Sequence, residues 1–387
     1  MTVNRLKAPT ALQESALRAA LLPPGEALQE WVALLAGREI PDLDQGSFRL
    51  LPLVSRNLGA LPADVPERAR LQGIYRQAWY RNHVAVAAVS PVLRAFAEAG
   101  IEAMLLKGLA VVELAYQDLG ARPMNDADIL VRPGDFRAAR RIALAAGFSP
   151  VSGVGRGEGF RTFHAVAFRE AKGMDIDIHH HMLEESCWPG ADGDTWSRAR
   201  PALFGDIPIA LPSPEDLLIN ICVHGSRWDP VPSVRWIADA TVLTRNRALD
   251  WDVVVGEAQR RGVTVAMRAA LVELSRFTLV PPATVEALGM MRPGWLERAD
   301  FRAQQAGTST ATMVARYLTR YGRLSSRRNL RRKLAEFPTY LQGMWELDSR
   351  RDVYREGARR FVLRTRGKQP RRGAQDGGLP SLGNTTE

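Results

Sequence analysis

The sequence has little of what marks a secreted, disulfide-bonded or membrane-spanning protein. Its two cysteines, Cys187 and Cys222, stand alone in their segments, so neither a disulfide framework nor a CxxC metal or redox site is expected. The best candidate apolar run, residues 83–106, is interrupted by Arg94 and Glu98, and no segment is therefore expected to span a bilayer. The N-terminal residues lack the unbroken apolar stretch of a secretory signal, which predicts a cytoplasmic protein.

Most of the chain has no excess of positive charge. The formal net charge is +10, yet residues 1–315 carry 34 basic and 35 acidic side chains. Residues 316–372 carry 18 lysine and arginine residues against 5 acidic ones, so the basicity belongs to the C-terminal part. A predicted amphipathic helix there could lie on an anionic membrane surface or bind an acidic partner protein, whereas a nucleic-acid partner is not expected. The alternative is a helix packed on the body of the protein with a solvated basic face.

The composition predicts a folded chain of several parts. With 46% hydrophobic and 24% charged residues among 387, the chain can bury a large core and is not disordered throughout. Changes in pattern and composition predict five segments. These are an N-terminal helical region at 1–99, a sheet-containing core at 100–211, a helical domain at 212–300, a basic helical segment at 301–372 and a disordered tail at 373–387.

The central segment alternates short apolar runs with helical stretches. Strands are predicted at 101–106, 127–131, 163–169 and 174–179, with helices at 109–117 and 133–146 between the first three. The last two strands are separated by a Lys172-Gly173 turn, and residues 153–159 form a glycine-rich loop that could cover a site. Strand, helix, strand, helix and hairpin together predict an α+β fold, a sheet layered on helices.

Paired carboxylates on two of these strands are the most informative feature. Asp126 and Asp128 alternate with apolar residues, so they project from one face of a strand about 6.6 Å apart. Asp177 lies on a second short strand, two residues before His179. If the strands are neighbours, three carboxylates converge, and a divalent cation such as Mg²⁺ would relieve their repulsion. The alternative for each strand alone is a solvated polar face.

Basic residues near these strands could meet a phosphate. Lys107 and Gly108 follow a predicted strand and open a helix, where a glycine permits close approach of the backbone to an anion. Arg122, four residues before Asp126, could also reach a phosphate. The alternatives are a solvated lysine and an arginine paired with a nearby carboxylate.

Several other polar residues are predicted to be structural. In the run His179-His180-His181 only the first and third side chains could meet one zinc ion, and a role for His179 beside Asp177 is favoured over zinc. His224 shares a helical face with apolar residues, which predicts a hydrogen-bonded core histidine. Arg235 and Asp239 stand four residues apart on a helix and are expected to pair with each other.

The residues described above resemble the nucleotidyltransferase-fold superfamily. The resemblance rests on Leu106-Lys107-Gly108, Tyr116, Arg122, the run 126–131, Gly147-Phe148 and Asp177-Ile178-His179, and it covers about residues 45–285. More narrowly, the chain is similar to the bacterial proteins called uncharacterised nucleotidyltransferases. The resemblance implies a mixed sheet with a magnesium site and the transfer of a nucleoside monophosphate from a nucleoside triphosphate such as ATP to an acceptor.

The resemblance also implies roles for individual residues. Asp126, Asp128 and Asp177 would be the metal ligands and the catalytic carboxylates, and Gly108 the phosphate-loop glycine. Lys107 and Arg122 are predicted to bind the nucleotide, and His179 to support a metal ligand.

Two features depart from the superfamily pattern: Leu109 stands where a serine or glycine is usual, and the interval from Gly108 to Asp126 is long. They leave a non-catalytic nucleotide-binding or adaptor protein as the alternative to an enzyme. The acceptor, whether a small molecule, sugar, peptide or protein, is not specified by the sequence.

Overall fold

A computed structural model describes residues 6–62, 64–151, 164–170, 175–227, 233–306, 310–325, 330–345, 347 and 349–365 of the chain. The predicted glycine-rich loop at 153–159, the predicted Lys172-Gly173 turn and the predicted disordered tail lie outside these residues.

The chain begins with a group of helices. Thr10 caps the first of them, because its side chain accepts a hydrogen bond from the Gln13 amide at 3.2 Å while the Gln13 side chain accepts one from the Thr10 amide at 3.1 Å. The buried faces of these helices join one continuous apolar core with the sheet. The helices are α1 (Ala11–Leu21), α2 (Pro24–Leu35), α3 (Gln45–Phe48), α4 (Leu51–Leu58) and α5 (Arg68–Glu98), with a 3₁₀ turn at Ile40–Asp42.

A sheet of seven described strands follows, interrupted by short helices. Its strands are β1 (Ala103–Leu105), β2 (Asp126–Val131), β3 (Phe148–Pro150), β4 (Ala165–Glu170), β5 (Asp175–His179), β6 (Arg200–Phe204) and β7 (Ile207–Leu211). The helices between them are α6 (Lys107–Val111), continued by a π-helical stretch at Val112–Tyr116, then α7 (Phe136–Ala145) and α8 (Gly193–Arg198), with a 3₁₀ turn at Glu184–Ser186.

The order of the strands brings the two predicted carboxylate strands side by side. Across the sheet the order is β3-β4-β5-β2-β1-β7-β6. β2 runs parallel to β5 and antiparallel to β1, while β4 and β5 form the predicted antiparallel pair. The sheet is therefore mixed, and the predicted α+β fold with a mixed sheet between helical regions is confirmed.

Helices surround the sheet after β7. Ser213 caps the first of them, since its hydroxyl accepts a hydrogen bond from the Asp216 amide at 3.2 Å. This group consists of α9 (Pro214–Gly225), α10 (Arg235–Asn246), α11 (Trp251–Arg261), α12 (Thr264–Leu274), α13 (Pro282–Met290) and α14 (Trp295–Gln305).

The basic C-terminal segment is helical, and its first helix packs on the body. The helices are α15 (Thr310–Leu324), α16 (Leu330–Met344) and α17 (Arg350–Thr365). Arg320 pairs with Glu184, and Arg323 lies 3.3 Å from Asp300 and donates to the Glu185 carbonyl at 2.9 Å. Part of the positive charge is thus matched inside the protein. No helix among the described residues has the length and apolar character needed to cross a membrane.

Candidate functional site

The carboxylate cluster, defined here as Asp126, Asp128 and Asp177, is built by the parallel pairing of β2 with β5. In this register Asp126 is opposite Asp175, and Asp128 is opposite Asp177. Because residues two apart on a strand share a face, the register places all these carboxylates on one face of the sheet. The apolar residues that follow them, Ile129 and Ile178, are fully buried and anchor both strands.

Asp128 is the most enclosed member of the cluster, with 2% of its surface exposed. One of its oxygens, Oδ1, receives two contacts: Lys107 Nζ at 2.5 Å and His179 Nε2 at 2.9 Å. Burial raises the pKa of Asp128, but the charge of Lys107 and the hydrogen bond from His179 outweigh burial and hold it well below its usual range. Asp128 is thus ionised and already partnered.

Among the described residues, Asp126 and Asp177 have no comparable partner. The negative charge of Asp128 and then burial raise the pKa of Asp126. Burial, followed by the charge of Asp128, raises the pKa of Asp177 to about 6. Burial and mutual repulsion thus both disfavour the ionised forms of these two carboxylates.

The donor set fits a bound divalent cation. Among the described residues, Asp128, Asp177 and His179 offer ligand atoms that all lie within 4.8 Å of one another. Asp126 lies outside this group of three, on the same strand face as Asp128. The imidazole of His179 is fully buried, and its Nδ1 atom has no hydrogen-bond partner in the described part of the chain. Carboxylate oxygens suit Mg²⁺ or Mn²⁺, and the geometry does not choose between them.

Gly108 allows a close approach of side chains behind the cluster. A Cβ atom at this position would lie 2.7 Å from Arg122 Nη1 and 3.0 Å from the sulfur of Met124. The neighbouring residue Leu109 is buried, with 2% of its surface exposed, so no polar side chain takes the place of the usual serine.

Arg122 is held in a buried ion pair. Its Nε and Nη2 atoms each donate to the carboxylate of Asp239 at 2.9 Å, and Tyr116 donates to the same carboxylate at 3.1 Å. The predicted pairing of Arg235 with Asp239 is wrong, because Arg235 turns to the Pro123 carbonyl at 2.8 Å. The ion pair and this bond join α10 to the segment that leads into β2.

Asn82 of α5 fixes the same segment from the other side. Its amide donates to the carbonyls of Leu119 and Arg122 at 2.5 and 2.7 Å, and it accepts from the Met124 amide at 3.1 Å. The side chain is fully buried. The long interval between Gly108 and Asp126 is therefore an ordered connection with its backbone groups bonded.

Two basic residues near the cluster were not predicted to be functional. His224 was expected in the core, but its side chain is exposed in the last turn of α9. It lies close enough to the cluster to interact electrostatically with Lys107 and Asp128. The positive charge of Arg235 lowers the pKa of Asp126. No local sequence signal marks either residue, because both approach the cluster from helices more than a hundred residues after Lys107.

The run of three histidines does not gather at one point. His179 contacts Asp128, whereas His181 Nδ1 lies 3.0 Å from Asp192 Oδ2. His180 packs edge-to-face on Phe136, with ring centroids 4.9 Å apart. The placement of His179 behind Asp128 agrees with a supporting role for it.

A mixed sheet with paired aspartates on one strand and a third on its parallel neighbour is the arrangement expected of a nucleotidyltransferase. Residues 47–277 match the sequence profile of a family described as uncharacterised nucleotidyltransferase, and the chain belongs to that family. The solved structure of an antigenic nucleotidyltransferase-like protein from Paracoccidioides brasiliensis is similar at 14% identity and a TM-score of 0.34, over 52% of this chain and 95% of that chain. A comparison with curated proteins gave no match.

Proposed function

We propose that this protein transfers a nucleoside monophosphate from a nucleoside triphosphate to a hydroxyl group of an acceptor. The observation that carries the proposal is the register of β2 and β5, which sets Asp128 beside Asp177 and places Asp126 on the same face. Three close carboxylates with one neighbouring ammonium are a costly arrangement without a further cation. Membership of the nucleotidyltransferase family supports the same conclusion.

The carboxylate cluster would hold Mg²⁺, which when bound neutralises charge on the triphosphate and polarises its oxygens. Asp126, Asp128 and Asp177 are the proposed ligands, and His179 would keep Asp128 oriented through its 2.9 Å contact. As the third carboxylate of the cluster, Asp177 would also accept the proton of the acceptor hydroxyl.

The reaction balances with residues already described. The acceptor oxygen forms a bond to the α-phosphorus, the bond to pyrophosphate breaks, and the hydroxyl proton passes to Asp177. Lys107 and Gly108 would bind the triphosphate, with Lys107 contributing charge. Arg122 was predicted to bind the nucleotide as well. Its Nε and Nη2 atoms already donate to Asp239. Arg122 would therefore contribute by positioning the segment before β2.

Transfer of label from an α-labelled nucleotide tests the proposal. Each of the four triphosphates, ATP first, would be incubated with Mg²⁺, the full-length protein and a lysate of the source cell. Label is expected on an acceptor with the wild type and to disappear with the double variant Asp126→Asn/Asp128→Asn. Asp175→Asn is the matched control, because Asp175 shares the strand with Asp177 but pairs with Arg169 at 2.6 Å. Equal labelling by the wild type and the double variant would contradict the proposal.

A second candidate is a non-catalytic nucleotide-binding or adaptor protein. The buried side chain of Leu109 favours it, because no hydroxyl is available there to a triphosphate. It predicts nucleotide binding that depends on Lys107 without transfer of label in any lysate. In that case the basic segment 316–372 would supply the partner or membrane contact. The cytoplasmic location likewise stays a prediction.

A further inference from the structure

Lys107 fills the place of a cation beside Asp128. Its Nζ atom lies 2.5 Å from Asp128 Oδ1, and its side chain is 18% exposed. Burial lowers the pKa of Lys107, but the charges of Asp128 and Asp126 outweigh burial and raise it, so the group carries its proton. Lys107 therefore supplies the positive charge closest to the cluster.

The backbone at this position is held in an unusual conformation. Lys107 has a φ angle of +42°, and among the described residues only Glu67 and Gln117 are other non-glycine residues with a positive φ. For a residue with a Cβ atom this conformation is sterically unfavourable. A glycine would avoid that strain but would remove the ammonium that contacts Asp128.

The chain around Lys107 is fixed to the strand that carries Asp128. The Leu106 amide donates to the Asp128 carbonyl at 2.9 Å, and Leu106 is fully buried. The base of the lysine side chain thus cannot move far from Asp128, whereas its four-carbon stem can rotate. The ammonium is the movable part of a fixed site.

A divalent cation and the Lys107 ammonium would compete for the same carboxylates. Both are attracted by Asp128 and Asp177, and they repel each other at short distance. A metal ion arriving alone would therefore have to displace the lysine. A metal ion arriving with a triphosphate brings phosphate oxygens that give the displaced ammonium a new partner.

We propose that Lys107 substitutes for the metal at Asp128 and moves its ammonium to the triphosphate when metal and nucleotide bind together. This inference rests on the proposed function. The contact of Lys107 with Asp128 would make free metal bind weakly. It would also couple metal binding to nucleotide binding, so that each ligand strengthens the binding of the other. Lys107 then has opposite effects on the two ligands, opposing the metal and favouring the nucleotide.

Binding of Mn²⁺ alone to the full-length protein, followed through the electron paramagnetic resonance of free Mn²⁺, tests the inference. Lys107→Met keeps an apolar stem and removes the charge. It is expected to bind Mn²⁺ at least about tenfold more tightly than the wild type, the lower end of what one opposite charge does to a carboxylate. The same variant is expected to bind ATP in the presence of saturating Mn²⁺ more weakly than the wild type, as measured by calorimetry.

Three further variants sharpen the result. Arg132→Met removes one positive charge elsewhere, since Arg132 is half exposed and pairs with Glu102, and it should bind Mn²⁺ as the wild type does. Lys107→Arg keeps the charge and should retain weak Mn²⁺ binding, which tests the inference even if Lys107→Met does not fold. The double variant Lys107→Met/Asp128→Asn should lose the tight binding.

The outcomes separate the two proposals. If Mn²⁺ binds in a manner that depends on Asp128 but is no tighter in Lys107→Met, the inference about Lys107 is overturned and the metal site stands. If neither the wild type nor Lys107→Met binds Mn²⁺, both the inference and the proposed metal site are contradicted. Tighter Mn²⁺ binding together with weaker ATP binding supports the inference.

Discussion

Two groups of buried charge in this protein are balanced in different ways. In the carboxylate cluster, one lysine faces three aspartates, and the pKa values of Asp126 and Asp177 lie above their usual range. The second group, here called the Arg261 cluster, consists of Arg261 with Glu257, Asp192, Ser186 and Thr195. All of its members are buried.

The Arg261 cluster is complete within the chain. Arg261 donates to Glu257 at 2.7 Å, to Asp192 at 2.9 Å, to Ser186 at 2.8 Å and to Thr195 at 2.7 Å. Burial raises the pKa values of Asp192 and Glu257, but their hydrogen bonds and charge partners outweigh burial and lower both. The two carboxylates of the Arg261 cluster thus have depressed pKa values, whereas Asp126 and Asp177 of the carboxylate cluster have raised ones.

The largest expected effect comes from breaking the complete cluster. Arg261→Ala removes a fully buried guanidinium that pairs with two buried carboxylates, Glu257 and Asp192, and is expected to lower the free energy of unfolding by about 3–5 kcal/mol. Urea unfolding followed by circular dichroism measures the change. Arg260→Ala is the control, because Arg260 is about one-third exposed and should cost clearly less. Equal losses in the two variants would contradict the special role of Arg261.

Neutralising one carboxylate in each cluster should change stability in opposite directions. At pH 8, Asp192→Asn is expected to lower the free energy of unfolding by about 1–3 kcal/mol, because hydrogen bonds to a charged group are lost. Asp177→Asn is expected to raise it by a similar or smaller amount, because it removes a charge that burial and Asp128 oppose. Both values come from urea unfolding without metal.

The effect of Asp177→Asn should also depend on pH with a definite sign. The folded-state pKa of Asp177, about 6, lies above its unfolded value, so folding is penalised above pH 6 and the penalty disappears as the pH falls. The stability difference between Asp177→Asn and the wild type should therefore shrink from pH 8 to pH 5. A constant difference over this range would contradict the raised pKa.

Metal affinity should follow the same titration. Because Mn²⁺ binds the ionised carboxylate, the affinity of the wild type is expected to fall by up to tenfold for each pH unit below about 6, as the ionised fraction of Asp177 falls. Asp177→Asn should bind Mn²⁺ more weakly and with less dependence on pH. Equal pH dependence in the two proteins would exclude Asp177 as the titrating ligand.

The sequence predicted the carboxylate cluster because its signal is local. Asp126, Asp128 and Asp177 each lie in a short strand with alternating apolar residues, and the parallel register of β2 and β5 joins them as expected. The start of α9 is likewise marked locally, by Ser213 as its cap and Pro214 at its first position. Strands β3, β6 and β7 were not predicted, since Pro150, Pro201 and Pro208 weaken their pattern.

The Arg122–Asp239 pair could not be read from the sequence. Its members are 117 residues apart, and a closer partner for Asp239, the arginine four residues before it, was available on the same helix. Which of two possible pairs forms depends on how α10 packs against the segment before β2, and that packing is a property of the whole fold. Contacts between distant segments are the part of the site that local patterns do not determine.

The smallest expected effect concerns the start of α9, next to the Arg261 cluster. The Ser213 hydroxyl accepts from the Asp216 amide at 3.2 Å, and Thr195, which Arg261 contacts, donates to the Asp216 carboxylate at 3.0 Å. Ser213→Ala is expected to lower the free energy of unfolding by about 1 kcal/mol. Ser197→Ala, the control, removes an exposed hydroxyl bonded to a carbonyl of its own helix and should change stability by no more than about 0.5 kcal/mol.

Ser213→Ala also separates the two clusters. Ser213 caps the start of α9, next to the Arg261 cluster. Loss of the cap should therefore lower stability and leave Mn²⁺ affinity at the carboxylate cluster unchanged. A parallel loss of Mn²⁺ affinity would show that the start of α9 positions Asp128 or Asp177, and that the two clusters act as one unit.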